Sequence, residues 1–289
     1  MKKSLIIIDS HALLYRFFFA LPPLTNQKGE PSGAIYGLSA VLLKIIKEQR
    51  PDYMLGVFDT PEATFREEIF PEYKGQRPKM GDDLIPQIER AHELYTQFGI
   101  KTLERPGFEA DDVIGSVANK FKGEKDLVLI ILSGDLDMLQ LVEDDKVVVQ
   151  FVKKGVSETV IYNEKAVIER YEGLTPKQLP DLKALLGDAS DNFPGVRGVG
   201  PKTAIPLIKK AGSLENLLEN LWEAPEKVAA KIEAEKDKAI MCKKLAKIKT
   251  DIDLDLKLED LALDFKKPQV KSFFEQNNFN SLSNRLDLM

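Results

Sequence analysis

The sequence predicts an α/β fold: a mostly parallel central sheet flanked by helices, followed by a mainly helical C-terminal part. Short apolar runs at residues 5–8, 53–58, 127–132 and 147–152 read as buried strands. Helical patterns lie between the first three of them, the alternation that builds parallel sheets. After about Asp181 the strand-like runs fade and helical patterns with Lys-rich faces take over, apart from an alternating stretch at 251–258. The expected division is therefore an α/β core over 1–180 and a helical part over 181–289.

Taken in order, three of the runs end in an acid. Asp9 follows the first, Asp59 the second and Asp135 the third. Functional crevices of open α/β sheets lie at the carboxyl ends of the strands, so these acids are expected to converge on one edge. Glu109, Asp111 and Asp112 open the next helical pattern, Asp137 follows Asp135, and Asp188 and Asp191 share a turn-like segment, which makes nine acids in five places. Glu109 and Asp112, like Asp188 and Asp191, are three apart and share one side of a helical turn. Two carboxylates held ~4 Å apart repel by roughly 4 kcal/mol at an effective dielectric of about 20, so such a group requires cations. For any one acid, an N-cap or a solvated loop position is the commoner role; only the set argues for a metal site.

Composition narrows the chemistry. One cysteine, Cys242, and two histidines, His11 and His92, exclude a disulfide framework and a Cys/His zinc site, so a metal must sit on oxygen. Oxygen ligation selects Mg²⁺ or Mn²⁺, and the ligands suffice for two ions. The net charge of −5, from 41 basic and 46 acidic residues, argues only weakly against an anionic polymer as partner, because bound cations restore positive potential locally. The apolar run after Met1 is too short for a signal peptide, and charges or prolines break every apolar run before membrane-spanning length, so a cytoplasmic protein without membrane contact is expected.

Residues 61–83, dense in charge, Pro and Gly, read as a loop or arch. Arg66, Tyr73, Lys74, Arg77 and Lys79 give it four cations and an aromatic, a composition suited to clamping phosphate and stacking on an unpaired base. Gly195, Arg197, Gly198, Gly200, Lys202 and Thr203 read as a glycine-punctuated hairpin feeding a helix, within about 187–210. Glycines there let backbone approach a phosphate, and a helix N-terminus attracts it. Arg16, with Tyr15 just after the first strand, has two readings: a contact to phosphate near the metals, or a cap on Phe17-Phe18-Phe19 as an ordinary core run. The lysines between 227 and 249 read mostly as a solvated helical face.

Several segments carry a resemblance that covers nearly the whole chain. Tyr15-Arg16 through Pro22-Pro23-Leu24-Thr25-Asn26, Phe58-Asp59, Tyr73-Lys74, Glu109-Ala-Asp111-Asp112, Gly134-Asp135-Leu-Asp137, Gly187-Asp188-Ala-Ser-Asp191-Asn192 and Pro194 to Ala204 appear in the order found in the 5′-nuclease domain of bacterial DNA polymerase I. The sequence thus resembles the 5′→3′ exonuclease and flap endonuclease family.

That resemblance implies a PIN-like core, a helical arch and a helix-hairpin-helix motif. It also implies two Mg²⁺ ions, replaceable by Mn²⁺, one on Asp9, Asp59, Glu109 and Asp111 and the other on Asp135, Asp137, Asp188 and Asp191, with Asp112 close to both. Which acid bridges the ions stays open, Asp111 being one candidate. Lys74 and Arg77 are carried over as catalytic cations, with Arg66 and Tyr73 beside them. DNA contacts are expected from Arg16, Lys79 and the hairpin residues, and K⁺ between hairpin carbonyls and phosphate. The implied substrate is nicked or flapped DNA, including RNA primers on DNA, and the implied protein is a nucleoid-associated monomer working beside a DNA polymerase or within one. Leu136 and His11 depart from the common pattern, where Lys and small or polar residues are usual. A catalytically silent DNA-binding module and a related PIN-like ribonuclease are the alternatives.

Overall fold

The computed structural model describes residues 2–77, 80–154 and 158–289; Lys79 lies outside them. Six strands form one sheet: β1 Lys3–Asp9, β2 Tyr53–Val57, β3 Lys101–Leu103, β4 Leu127–Ser133, β5 Val147–Lys154 and β6 Glu158–Tyr162, in the order β3-β2-β1-β4-β5-β6. All neighbours are parallel except β5 with β6, which are antiparallel. The four expected strands are present. β3 is too short to announce itself, and β6 is a half-exposed edge strand whose pattern is not a solid apolar run.

The uninterrupted apolar character of β1 follows from burial on both faces. Ile6 and Ile8 enter one core, with the helices Ser10–Ala20, Gly33–Gln49 and Ile85–Gln97, while Leu5 and Ile7 enter a second, with the helix Ala110–Phe121. A third core contains no strand: Leu182, Leu185, Val196, Ala204, Ile208, Ile232 and Cys242 pack within the helical part. Cys242 is fully buried there.

The chain does not end in that helical part. The helices Lys267–Gln276 and Asn280–Asp287 return to the first core through Val270, Phe273, Phe274 and Leu282, not to the helices expected as their neighbours. The alternating stretch at 251–258 belongs to no sheet ladder among the described residues. It crosses the helix Ala110–Phe121 as a strap, with Asn119 Nδ2 donating to the Thr250 carbonyl at 2.9 Å and Lys120 Nζ to that of Leu254 at 2.8 Å. Leu254 and Leu256 point into the second core and Asp251, Asp253 and Asp255 face solvent, so the alternation is real without being a strand. No described helix is long and apolar enough to cross a membrane.

Strand order reverses direction between β1 and β4. That switch point opens a crevice at the carboxyl ends of the two strands, where Asp9 and Asp135 stand.

Candidate active site

Each acid at the crevice is held by a local backbone device. Asp9 ends β1 and caps the next helix: its Oδ1 accepts from Ala12 N–H at 3.1 Å and its Oδ2 from the Ser133 hydroxyl at 2.5 Å. Ser133 Oγ in turn accepts from Asp135 N–H at 2.9 Å, tying the ends of β1 and β4 together. Asp59 Oδ1 accepts from Ala110 N–H at 2.7 Å, and its own N–H donates to His11 Nδ1 at 3.0 Å. Glu109 caps the helix Ala110–Phe121 in a reciprocal box with Asp112. The capping role and the functional role are therefore filled by the same residues.

Asp9, Asp59, Glu109, Asp111 and Asp135 line one cavity of about 460 Å³ with Lys74 and Arg77. Asp137, Asp188 and Asp191 form a second group whose carboxylate oxygens lie within 4.8 Å of one another. Asp135 was expected with this second group but lines the cavity of the first, and it still reaches across, since Asp137 N–H donates to Asp135 Oδ1 at 2.8 Å.

Mutual repulsion in a buried setting leaves its mark on the proton equilibria. Burial, with the charges of Asp135 and Asp59 adding to it against the Ser133 and Ala12 hydrogen bonds, pushes Asp9 up to about 7. Asp111 is pushed well above the ordinary carboxylate range by burial and by Asp9, Asp135 and Glu109. Burial raises Asp137 to about 6 against the pull of Lys183. Asp188 goes the other way: burial is outweighed by Lys183 and Ser190, and it stays below its usual value.

The sign of the resulting pH effect is definite. A carboxyl whose folded value exceeds its unfolded one stabilises the fold below the unfolded value and loses that contribution as pH rises through the folded value. The metal-free protein is therefore expected to lose stability between about pH 4 and 7 on account of Asp9, and added Mn²⁺ at pH 7.5 to restore it with release of protons. Thermal melts in EDTA against Mn²⁺, with calorimetry in two buffers, test this; a metal-free melting temperature that rises across that window defeats it.

The cations of the arch segment divide sharply. Lys74, in a left-handed backbone conformation at φ 54°, has its N–H on the Asp191 carbonyl and its Nζ 2.6 Å from Glu109 Oε1, facing the cavity. Arg77 donates to Asp191 Oδ1 at 2.6 Å and is half-exposed. Arg66 is a correction. It is 2% exposed, bidentate to Asp112 at 2.6 and 2.9 Å, and donates further to the carbonyls of Leu245 and Lys247, so no donor faces a substrate. Asp112 is correspondingly fully buried and engaged with Arg66, Lys249 N–H and Glu109 N–H, which removes it from the expected metal-facing acids. Tyr73 is likewise too buried to stack on a base; its hydroxyl donates to Glu109 at 3.3 Å and Asp191 at 3.1 Å. Residues 70–77 are not an open arch but lie docked on the 188–192 turn, with Gln76 Nε2 on the Ala189 carbonyl and Asn192 Nδ2 on that of Glu72.

A family model described as the N-terminal resolvase-like domain of 5′-3′ exonucleases matches residues 4–172, and one described as the 5′-3′ exonuclease C-terminal SAM fold matches 174–270. The chain belongs to the 5′-3′ exonuclease family. It is 42% identical over 288 residues to DNA polymerase I of Bacillus subtilis (strain 168), covering 99% of this chain but 32% of that protein. The chain thus spans about a third of the length of the polymerase relatives it matches. It is also 42% identical to the 5′-3′ exonuclease of Aquifex aeolicus (strain VF5), covering 99% of this chain and 96% of that one. Its fold matches the T5 D15 protein co-crystallised with metal ions, with a TM-score of 0.69 and 23% identity over 84% of this chain and 89% of that one.

The remaining expected residues fall around the crevice unevenly. Arg16 donates to the carbonyls of Gly134 and Lys153 at 3.0 and 3.1 Å and lies over the Phe151 ring, partly exposed. His11 and His92 pack against Phe58 as local partners. In the hairpin, Gly195 adopts φ 62°, and a Cβ there would fall 2.2 Å from Gly187 N, so only glycine fits. Arg197 and Lys202 are exposed, and Gly200 precedes the first turn of the helix Pro201–Ala211. The Arg197 N–H is already taken by Glu235 at 2.6 Å, and Lys231 Nζ lies 3.3 Å from the Gly198 carbonyl.

Two features were missed. Lys183, on the helix Leu179–Leu186, places its ammonium on Asp137 and Asp188; its position between apolar neighbours just before Asp188 was the available signal. Phe18 and Phe19 wall the cavity with Tyr15: Phe18 is partly buried against the first core, whereas Phe19 is 77% exposed. The helical spacing of Leu13, Leu14 and Phe17 defines the buried stripe and leaves the next two rings off it.

Proposed function

We propose that the protein is a structure-specific 5′-nuclease, both exonuclease and flap endonuclease, hydrolysing phosphodiester bonds near the 5′ ends of nicked or flapped DNA in replication and repair, RNA-primer removal included. The observation that carries this reading is the convergence of eight carboxylates from five chain segments at one sheet edge, with Lys74 and Arg77 beside them.

The donor set fits hard divalent cations. It is all oxygen, the second group is compact, and the Lys183 ammonium already sits there as a cation. Asp9, Asp59, Glu109 and Asp111 would hold one ion and Asp135, Asp137, Asp188 and Asp191 the other, Mg²⁺ or Mn²⁺. Bound as a pair, such ions supply an activated water and stabilise the leaving oxygen. Lys74 and Arg77 offset charge developing on the phosphate, and Tyr15, Phe18 and Phe19 offer faces to an unpaired base in place of Tyr73. The hairpin from Gly195 to Thr203, with Arg197, Gly198, Gly200 and Lys202, meets duplex backbone without reading bases. A K⁺ ion there would share the Gly198 carbonyl with Lys231. Monomeric state, cytoplasmic and nucleoid location and partnership with a DNA polymerase belong to the same proposal.

The deciding experiment is cleavage of a 5′-labelled flap, with and without Mg²⁺, resolved to single nucleotides. Equal cutting of flapped, nicked and plain single-stranded DNA counts against structure specificity. Lys74→Ala is expected to slow single-turnover cleavage by about 10²–10³-fold with little change in DNA affinity; weakened affinity with an unchanged single-turnover rate refutes that role.

A further inference from the structure

Within the Asp137, Asp188 and Asp191 group, two cations are already in place: Arg77, half-exposed, on Asp191 alone, and Lys183 on the other two acids. Lys183 reaches in from the helix Leu179–Leu186, about one-quarter exposed, and contacts both Asp137 and Asp188. The two acids come from chain segments about fifty residues apart, and the ammonium bridges them. Its partners are the very carboxylates whose oxygens lie close enough to share an ion. Among the described residues the other group has no ammonium bridging two of its acids: Lys74 holds Glu109 alone, while Asp9 and Asp59 are held by Ser133, Ala12 and Ala110, which are neutral donors.

We propose that Lys183 sets the metal affinity of the Asp137, Asp188 and Asp191 site, being the cation that bridges two of its acids in the metal-free protein and the group a divalent ion must displace. The inference rests on reading those acids as metal ligands. An ion and the ammonium cannot both take the same lone pairs at the same distance, and like charges at such separation repel. The two sites therefore fill at different metal concentrations, the Lys183 site last.

The test is calorimetric titration of the whole DNA-free chain with Mn²⁺, comparing wild type, Lys183→Met and Asp188→Asn. Asp188→Asn should lose the weaker binding event, and Lys183→Met should tighten that event by about tenfold or more while leaving the stronger one unchanged. Thermal melts separate this from a merely structural role: Lys183→Met should lower the melting temperature in EDTA but not in saturating Mn²⁺. An unchanged or weakened second event in Lys183→Met, or equal destabilisation in both conditions, overturns the proposal alone. Retention of both events in Asp188→Asn overturns the metal-site reading and the proposal with it. Lys183→Gln provides the same comparison should the Met variant fail to fold.

Discussion

Asp135→Asn or Asp188→Asn is expected to reduce cleavage by about three orders of magnitude or more, while duplex binding measured in Ca²⁺ stays within about tenfold of wild type. Asn keeps the shape and one oxygen but removes the charge that retains a divalent cation. Lewis-acid stabilisation of a phosphoryl centre contributes several kcal/mol, and about 1.4 kcal/mol is a factor of ten in rate. Asp135 has a second duty, because its Oδ1 accepts from Asp137 N–H and so orients the neighbouring carboxylate. Its Asn variant should disturb both groups, whereas Asp188→Asn should disturb one. Single-turnover rates with enzyme in excess provide the measurement. A variant that still cuts within tenfold of wild type would remove the carboxylates from the chemistry.

The second large effect is on stability. Arg66→Ala should destabilise the fold by about 3–5 kcal/mol, because it leaves Asp112 buried with no compensating charge. The guanidinium also satisfies the Leu245 and Lys247 carbonyls, so the loss extends to the end of the helix Lys236–Ala246. Replacing both partners, Arg66→Met with Asp112→Leu, should recover much of the loss, since a buried ion pair exchanged for apolar groups is often neutral. Denaturant midpoints of the three variants check this. A single variant as stable as wild type would mean that the pair contributes nothing and would reopen a substrate role for Arg66.

How far the sequence could be read is set by which signals are one-dimensional. β1, β2, β4 and β5 were legible because strands buried on both faces must be apolar throughout, and Asp9, Asp59 and Asp135 because the parallel topology sends strand ends to one edge. Arg66 and Lys74 illustrate what was not. Both are cations in one short charged segment, and nothing in their identity says that one inserts behind Glu109 to meet Asp112 while the other faces the cavity. That difference arises from how the short helix Phe65–Ile69 docks on the helical part, a tertiary event. Tyr73 was misjudged for the same reason, and Lys183 was overlooked because its partner Asp137 lies in a different segment of chain. The strap at 251–258 shows the converse: its alternation was correct about faces and silent about pairing.

That strap also governs how the molecule can move. Chain passes from the α/β body into the helical part between Leu174 and Leu182, with Leu179 still in the second core, and returns to that core at Ile248, while Lys249 N–H is fastened to Asp112 at 2.8 Å. The return is pressed so closely on the helix Ala110–Phe121 that a Cβ on Gly115 would lie 2.7 Å from the Lys249 carbonyl oxygen. The helical part is also fastened along its flank, where Arg66 Nε donates to the Leu245 carbonyl, Lys74 N–H to that of Asp191, and Lys183 pairs with Asp137. Held at several points, it cannot swivel about a single linker, which restricts how far the hairpin's reach to the acidic crevice can vary.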